Sequence, residues 1–468
     1  MFDQLIKARF NDDGTIAGLL PAQAGSPVPV TLSSVSGDSA SLGTLLTDWT
    51  TGGSLSVTGS TGAVAVLDSA VMCAGRPMLR VTAGAAGTMT VSFTPTTPLT
   101  VAQLKSLQFP VRFTRNSTDD GATQVFTNPT LWLVGTSGSR WQYSQSFGSW
   151  RSAATRTWSV APGVAAQGWS FAGSPLPTST TSMDTDTIAS VRLVYVVTAA
   201  DAGESIWLGP ITLGARRKGK ISITMDGAYI SQKNYILPML RAAGLRASLA
   251  LVNKAVGSTA AYMTWADVAQ YYSDGHNVLH HSYDATRING YVNATDWPTG
   301  ASITADILAG FADMTSRGFT RGNGYAVWGY SPPWAFSVGK ARQDLVTNAV
   351  KAAGVKAMRE SAVPGGALSR LQSIAHLDYI DPLCIQGAIQ PTSTNVAADI
   401  TAVVDAARDR GEWGVITLHR SVVSAPASLE MLNSELDAAI SYLATEVRRG
   451  TVDCTPFDEV CALYGISA

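Results

Sequence analysis

Charge is scarce in this chain. Only 14% of its 468 residues are charged, and 33 basic against 34 acidic residues leave a formal net charge of −1. Ordinary globular proteins carry about a quarter charged residues. No block of lysine and arginine stands out, and binding to nucleic acid needs a clustered positive field. A nucleic-acid partner is therefore not expected.

Long apolar runs are also missing. No stretch of about eighteen apolar residues occurs, so no membrane insertion is predicted. The opening segment carries charges such as Asp3, Lys7 and Arg9 where a Sec signal needs an apolar core, so no such signal is expected. The four cysteines lack metal-site spacing. Cys454 and Cys461 could be neighbours around a short helix, but free thiols are favoured in a chain without an export signal.

The length predicts two or three domains, and the chain changes character near residues 216–220. Before that point, short β-branched or aromatic runs such as Thr88–Phe93 and Val191–Val197 alternate with turn-forming residues. This pattern predicts an N-terminal all-β, jelly-roll-like sandwich over residues 48–217 that resembles a carbohydrate-binding domain. Residues 1–47 have too little apolar periodicity for a core and are interpreted as an N-terminal arm that orders against a partner.

Aromatic residues are concentrated in the first half, where seven of the twelve tryptophans lie, at positions 49, 132, 141, 150, 158, 169 and 207. Trp141 and Trp150, in a Ser/Gly-rich stretch, are candidates for platforms that stack on sugar rings, because a pyranose offers an apolar C–H face to an aromatic ring. The alternative is that these side chains fill the core of the sandwich.

After Lys220 the pattern alternates between strands and helices. It begins with a strand at Lys220–Met225 and a helix at Ser231–Ala243, and it continues to the C-terminus. So many βα units in about 250 residues predict a parallel β/α barrel over residues 218–468. Active sites of such barrels lie at the carboxyl ends of the strands, which is where the pattern places Asp226, His281 and His419.

Two segments resemble the opening motifs of the polysaccharide deacetylase family (NodB homology, carbohydrate esterases). ISITMDGAY, residues 221–229, is similar to a strand running into Asp-Asp-Gly, and Asp226 matches the catalytic base while Gly227 stands at the metal-binding aspartate. GHNVLHHSYDA, residues 275–285, is similar to the second motif. His281 matches one metal-binding histidine there, and Ala285 replaces the other.

Two later segments continue the resemblance. YSPPWAF, residues 330–336, is similar to an Arg-Pro-Pro-Tyr/Trp motif, with Ser331 at the arginine position. ITLHR, residues 416–420, is similar to the motif that supplies a general-acid histidine, and His419 matches it. The resemblance implies a distorted β/α barrel of the NodB deacetylase type, with Asp226 as base and His419 as acid.

The same resemblance bears on the cofactor. An intact site of this family binds zinc or a similar divalent metal through one aspartate and two histidines, and of these only His281 remains. Asp284 could swing in as a substitute, whereas His280 should point to the opposite face of its strand. No stable metal site is expected from one ligand, which leaves metal-free hydrolysis by Asp226 and His419 or no hydrolysis.

Aromatic residues near the strand ends are candidate substrate-binding residues. We expect Trp297, Trp328, Tyr330, Pro333 and Trp334 either to line a glycan groove or to pack around the mouth of the barrel.

The order of arm, sandwich and deacetylase-like barrel resembles bacteriophage tail spikes and receptor-binding proteins. The resemblance implies a virion protein that engages a bacterial surface polysaccharide, with weak or lost deacetylase activity. Other tail or baseplate proteins would hold the arm, and the chain would form a homo-oligomer, most plausibly a homotrimer. One alternative is an active bacterial polysaccharide deacetylase with an appended carbohydrate-binding domain, extracellular by a non-Sec route. A second is a structural baseplate component.

Overall fold

The fold is taken from a computed structural model. It describes residues 7–10, 16–20, 44–50, 52–73, 76–100, 103, 107–108, 110–113, 127–138, 140–143, 157–159, 169–171, 186–199, 202–213 and 217–467, the last range without 285–289, 292, 329–338, 361–381, 384 and 386. The chain divides into two compact units, Met1–Ser41 and Leu42–Ala468. In the first unit, β1 (Lys7–Phe10) pairs antiparallel with β2 (Ile16–Leu20).

The first half of the second unit is built of short strands. Their bounds are β3 (Thr44–Thr47), β4 (Gly53–Thr58), β5 (Val64–Cys73), β6 (Arg76–Thr82), β7 (Gly87–Pro95), β8 (Leu99–Thr100), β9 (Leu107–Gln108), β10 (Pro110–Phe113), β11 (Thr127–Gly135), β12 (Arg140–Tyr143), β13 (Thr157–Ser159), β14 (Trp169–Phe171), β15 (Thr187–Val197), β16 (Ser205–Leu208) and β17 (Ile211–Leu213).

These strands form two antiparallel sheets around one core. One sheet has the order β13-β10-β16-β6-β5, and the other has the order β14-β12-β11-β15-β7-β4 with β8 beside β15. Side chains from both sheets, such as Val81 and Ile206 from the first and Val91 and Leu193 from the second, share one buried cluster. The two sheets therefore pack face to face over one core, as in a sandwich, and the jelly-roll topology expected for it stays a prediction.

A small third sheet has the order β3-β17-β9. The antiparallel pairing of Thr44–Thr47 with Ile211–Leu213 ties residues 44–47 to the end of the sandwich region. These four residues were assigned to the N-terminal arm from their composition, and the structure instead gives them a strand partner.

The second half alternates strands and helices. The strands are β18 (Gly219–Asp226), β19 (Ser248–Val252), β20 (Asn277–Ser282), β21 (Tyr325–Val327), β22 (Ala357–Arg359), β23 (Trp413–Leu418), β24 (Arg420–Val422), β25 (Glu430–Leu432) and β26 (Val452–Cys454). The helices are α1 (Leu237–Ala243), α2 (Trp265–Ser273), α3 (Gly300–Ser316), α4 (Gly339–Ala352), α5 (Ala397–Arg410), α6 (Asn433–Arg448) and α7 (Phe457–Leu463), with a π-helical turn at Gln232–Ile236 and a 3-10 turn at Asn253–Ala255.

The main strands are parallel and have the order β22-β21-β20-β19-β18-β23, with β26 beside the start of β18. Two isolated parallel bridges, Arg359 to Ile385 and Ile389 to Ile416, join the two ends of this order through the segment between them. The predicted parallel β/α architecture is present as a curled parallel sheet, and the carboxyl ends of its strands share one rim.

Two layers of buried side chains stabilise the barrel, one in its interior and one between the strands and the helices. The interior contains residues such as Leu279, Val327 and Val415, and Phe457 of α7 belongs to the same cluster. A larger cluster, with Ile223 among its members, packs the helices onto the outside of the strands. Alternation along each strand separates the two layers, so a polar residue at an inward position must find its partner inside the barrel.

Among the described residues, no helix is long and apolar enough to cross a membrane.

Candidate functional site

A buried ion pair between Arg359 and Asp226 lies at the carboxyl ends of the barrel strands. Arg359, at the end of β22, donates from Nη2 to both carboxylate oxygens of Asp226, at the end of β18, over 2.7 and 2.5 Å. Its Nη1 donates to the hydroxyl of Thr417 at 2.8 Å and to the carbonyl of Glu360 at 3.2 Å. Arg359 is 0% exposed and Asp226 3% exposed, so the guanidinium is a fixed internal cation beside a buried carboxylate.

Two histidines flank the same carboxylate. His281 ends β20 and His419 follows β23, and Nε2 of each lies 3.9 Å from Oδ2 of Asp226. Both rings are partly exposed at the rim. A separation of 3.9 Å exceeds a hydrogen bond and leaves room for a shared water or ligand oxygen. The three residues expected at the strand ends are therefore brought together, and their catalytic roles stay predictions.

Burial and charge decide the ionisation of this cluster. Burial opposes ionisation of Asp226, but the charge of Arg359, joined by those of His419 and His281 when they are protonated, outweighs it and lowers the pKa of Asp226 below its ordinary value. Burial lowers the pKa of His281 and of His419, and the nearby Asp226 carboxylate only partly offsets it. Near neutral pH the cluster is thus a carboxylate–guanidinium pair with two neutral imidazoles.

Gln232 ties the two loops of the cluster together. Its Nε2 donates to the carbonyl of Asp226 at 2.9 Å and to the carbonyl of His419 at 2.6 Å, and its Oε1 accepts from the amide of Tyr229 at 3.1 Å. Gln232 is 0% exposed. All three contacts are to backbone, so this side chain fixes the spacing between the loops after β18 and β23.

His280 is packed on the other face of β20, as the alternation of the strand predicts. Its Nε2 lies 3.2 Å from the hydroxyl of Tyr291, and that hydroxyl donates to Asp306 at 2.9 Å. Tyr291 has one hydroxyl proton, so His280 is the donor in its own contact. A Cβ at Gly310 of α3 would lie 2.3 Å from the Nδ1 of His280, so this helix packs closely only through a glycine. His280 is therefore a structural residue.

Gly227 stands where the family resemblance places a metal-binding aspartate, so its surroundings show whether the site fits a divalent metal. Gly227 has a φ of 93°, a conformation that L side chains rarely adopt. A Cβ there would lie 2.7 Å from the ring of Tyr229. The backbone after Asp226 therefore leaves no room for the aspartate that the family resemblance places at this position.

The other candidate metal ligands, Asp284 and the two rim histidines, do not complete a metal site either. Asp284 pairs with Lys254 at 3.1 Å instead of turning toward His281, which corrects the expectation that it could substitute as a ligand. Metal-binding histidines usually donate their second ring nitrogen to an acceptor, yet Nδ1 of His281 and of His419 is buried without a partner. Among the described residues no three His, Cys, Asp or Glu side chains are placed to hold a metal ion. The donor set does not fit zinc.

Two of the predicted sugar-binding aromatics lie in the core. Trp297 is 2% exposed and Trp328 is 1% exposed, and the Nε1 of Trp328 donates to the carbonyl of Leu383 at 2.7 Å. This differs from the predicted sugar contact, because the residue after Val327 turns toward the helices instead of the rim. Tyr330, Pro333 and Trp334 lie outside the described residues, as do Ala285, Trp150 and the side chain of Trp141.

Arg359, Thr417 and Gln232 were missed by sequence reasoning. A signal for Arg359 was present, because the segment similar to the Arg-Pro-Pro-Tyr/Trp motif has Ser331 in place of its arginine. Cys454 and Cys461, considered as neighbours around a short helix, are both free.

The chain matches no protein-family model and no curated protein. Among solved structures, it is similar to the Xyl-CE4 domain of a multidomain xylanase from the hindgut metagenome of Trinervitermes trinervoides (18% identity, 53% of this chain and 92% of that chain, TM-score 0.29). It is similar to a family 4 acetyl xylan esterase from Clostridium thermocellum in complex with a cobalt ion (14%, 53% and 92%, TM-score 0.32). A third is a family 11 carbohydrate-binding module from Clostridium thermocellum in complex with a β-1,3-1,4-mixed-linked tetrasaccharide (13%, 37% and 96%, TM-score 0.24).

Proposed function

We propose that the barrel binds an acylated surface polysaccharide at the rim around Asp226, and that its deacetylase activity is weak or lost. The observation that carries the proposal is the pairing of Arg359 with both oxygens of Asp226 beside two partly exposed histidines. The arrangement offers hydrogen-bonding groups to a hydroxyl or acyl oxygen at the rim, and it holds the carboxylate in an ion pair.

The same contacts argue against efficient turnover. A carboxylate with a lowered pKa that accepts two hydrogen bonds from a guanidinium is a weak general base. Arg359 is fully buried and its Nη2 donates to the Asp226 carboxylate, which neutralises its charge and keeps this group from donating directly to an oxyanion that forms at the rim. What remains is a neutral imidazole on either side of the bound group, which can orient a hydroxyl or water and accept one proton.

The biological setting is proposed separately from glycan binding at the rim. We infer a tail spike or receptor-binding protein on a bacteriophage virion, with the part of the N-terminal arm that precedes Thr44 held by other tail or baseplate proteins in a homotrimer. The order of arm, sandwich and barrel in the sequence supports it. Purified virions should then contain the chain, and its presence in host secretions without particles would contradict this setting.

The biochemical proposal is tested by separating binding from turnover. We expect wild type to be retarded by acetylated xylan or by N-acetylglucosamine oligomers in affinity electrophoresis, while acetate release stays near the uncatalysed rate. His419→Gln removes one rim imidazole and should weaken retardation several-fold, because one hydrogen bond at the bound group is lost. Thr401→Ala, which alters an exposed hydroxyl on α5, is the matched control and should change nothing.

Two outcomes would contradict the proposal. Acetate release that is fast, is abolished by a chelator and is restored by a divalent metal would make the barrel a metal-dependent hydrolase. Absence of both binding and release with each glycan, in a folded protein, would remove the polysaccharide assignment.

A further inference from the structure

The outer face of the larger sheet of the sandwich carries a second cluster of polar and aromatic groups. Along β15, Val191, Leu193 and Tyr195 lie in the core, so Arg192 and Val194 point away from it. The same alternation on β11 buries Leu133 and turns Trp132 outward.

The strand register lines these outward residues up. Trp132 of β11 lies opposite Arg192 of β15, Arg192 lies opposite Ser92 of β7, and Ser92 lies opposite Ser56 of β4. Residues directly opposite one another on one face of a sheet have Cβ atoms about 5 Å apart. The four residues therefore form a continuous row, here called the outer row, across four neighbouring strands.

A second guanidinium adjoins the outer row. Arg140 of β12 lies opposite Val134 on the face that carries Trp132, and its guanidinium carbon is 5.8 Å from the centroid of the Trp132 ring. Arg192 and Arg140 thus flank one partly exposed indole ring. Flanking cations and an aromatic ring form a surface that combines an apolar contact with positive charge.

This positive charge has no carboxylate partner among the residues that the structure describes. Arg192 donates from Nε to the hydroxyl of Ser190 at 3.2 Å, and the guanidinium of Arg140 contacts the Trp132 ring. Burial and the neighbouring charge of Arg140 both lower the pKa of Arg192. Two like charges held together in this way favour an anion between them.

We propose that the outer row binds a saccharide that bears carboxylates, with a sugar ring against Trp132 and a carboxylate on Arg192 and Arg140. The hydroxyls of Ser92 and Ser56 extend the same row for contacts with sugar hydroxyls. Two arginines on a chain of net charge −1 do not make the extended positive field that a nucleic acid needs. The outer row is separate from the rim around Asp226 and does not depend on the chemistry there.

Calorimetry on the full chain tests this directly. With hexagalacturonate as the acidic probe and cellohexaose as the neutral one, we expect wild type to bind the acidic probe at least about tenfold more tightly, because hydrogen bonds to charged groups are the stronger ones. Arg192→Gln and Trp132→Ala should each lose about tenfold or more for hexagalacturonate. Arg80→Gln removes an exposed arginine of the opposite sheet, 3.7 Å from Asp68, and should stay within about twofold of wild type.

Competition separates this site from the rim. A saturating concentration of acetylated xylan, the probe for the rim, should leave hexagalacturonate binding unchanged, and unchanged thermal unfolding of Arg192→Gln shows that its loss of binding is not a loss of folding. Equal affinity for the two hexasaccharides, no binding of either, equal binding of an oligothymidylate, or displacement of hexagalacturonate by acetylated xylan would each overturn the proposal.

Discussion

Arg359→Met is expected to lower the free energy of unfolding by about 3–5 kcal/mol at pH 7, since it leaves the buried carboxylate of Asp226 without its cation. Urea unfolding followed by tryptophan fluorescence measures the loss. Arg76→Met, which breaks a partly exposed ion pair with Asp48, is the matched control and should cost at most about 1 kcal/mol.

Lowering the pH should reduce the difference in free energy of unfolding between wild type and Arg359→Met. In wild type the pKa of Asp226 is depressed, so its contribution to stability is present above the ordinary carboxyl pKa of about 3.9 and is lost as the pH falls through the folded value. Without Arg359, burial should raise the pKa of Asp226, and protonation should then remove the unpaired charge at a higher pH. The double variant Asp226→Asn/Arg359→Met should cost less than the two single changes added together. Strict additivity would mean that the two side chains do not stabilise each other.

Trp328→Ala is expected to lower the free energy of unfolding by about 3–5 kcal/mol, because it opens a cavity beneath the helices and removes a buried hydrogen bond to the carbonyl of Leu383. Trp328→Phe, which keeps most of the ring volume, should cost less. The same urea titration measures both variants.

Glycan affinity distinguishes a core role for Trp328 from a role as a sugar-binding residue at the rim. Measured on folded protein, affinity for acetylated xylan should be unchanged in Trp328→Phe, since the side chain lies in the core. Unaltered stability of Trp328→Ala together with a lost affinity for the glycan would return Trp328 to the rim as a sugar-binding residue.

The strands of the barrel were predictable because their pattern is local. The strand that the sequence predicts at Lys220–Met225 is found as Gly219–Asp226, one residue longer at each end. The carboxyl ends of parallel strands meet at one rim, so the convergence of Asp226, His281 and His419 followed from position alone.

The partners of these residues could not be predicted in the same way. Arg359 and Asp226 are separated by 133 positions and end strands that are not neighbours in the sheet, so only the curling of the sheet brings them together. Whether Trp328 faces the rim or the helices depends on where the short strand Tyr325–Val327 ends, a matter of one residue. The pairing of Asp284 with Lys254 likewise depends on the relative placement of two loops. Each of these contacts is non-local, and the periodicity of the sequence does not encode it.

We infer that a guanidinium, and not a metal ion, neutralises Asp226. Titration of chelator-treated protein with Co²⁺, followed by visible absorption and calorimetry, tests it most directly, because cobalt bound by histidine nitrogen and carboxylate oxygen gives a spectrum that depends on its ligands. We predict no saturable binding and no difference between wild type and His281→Ala. One equivalent of tightly bound Co²⁺, with a spectrum that disappears in Asp226→Asn and in His281→Ala, would contradict the account.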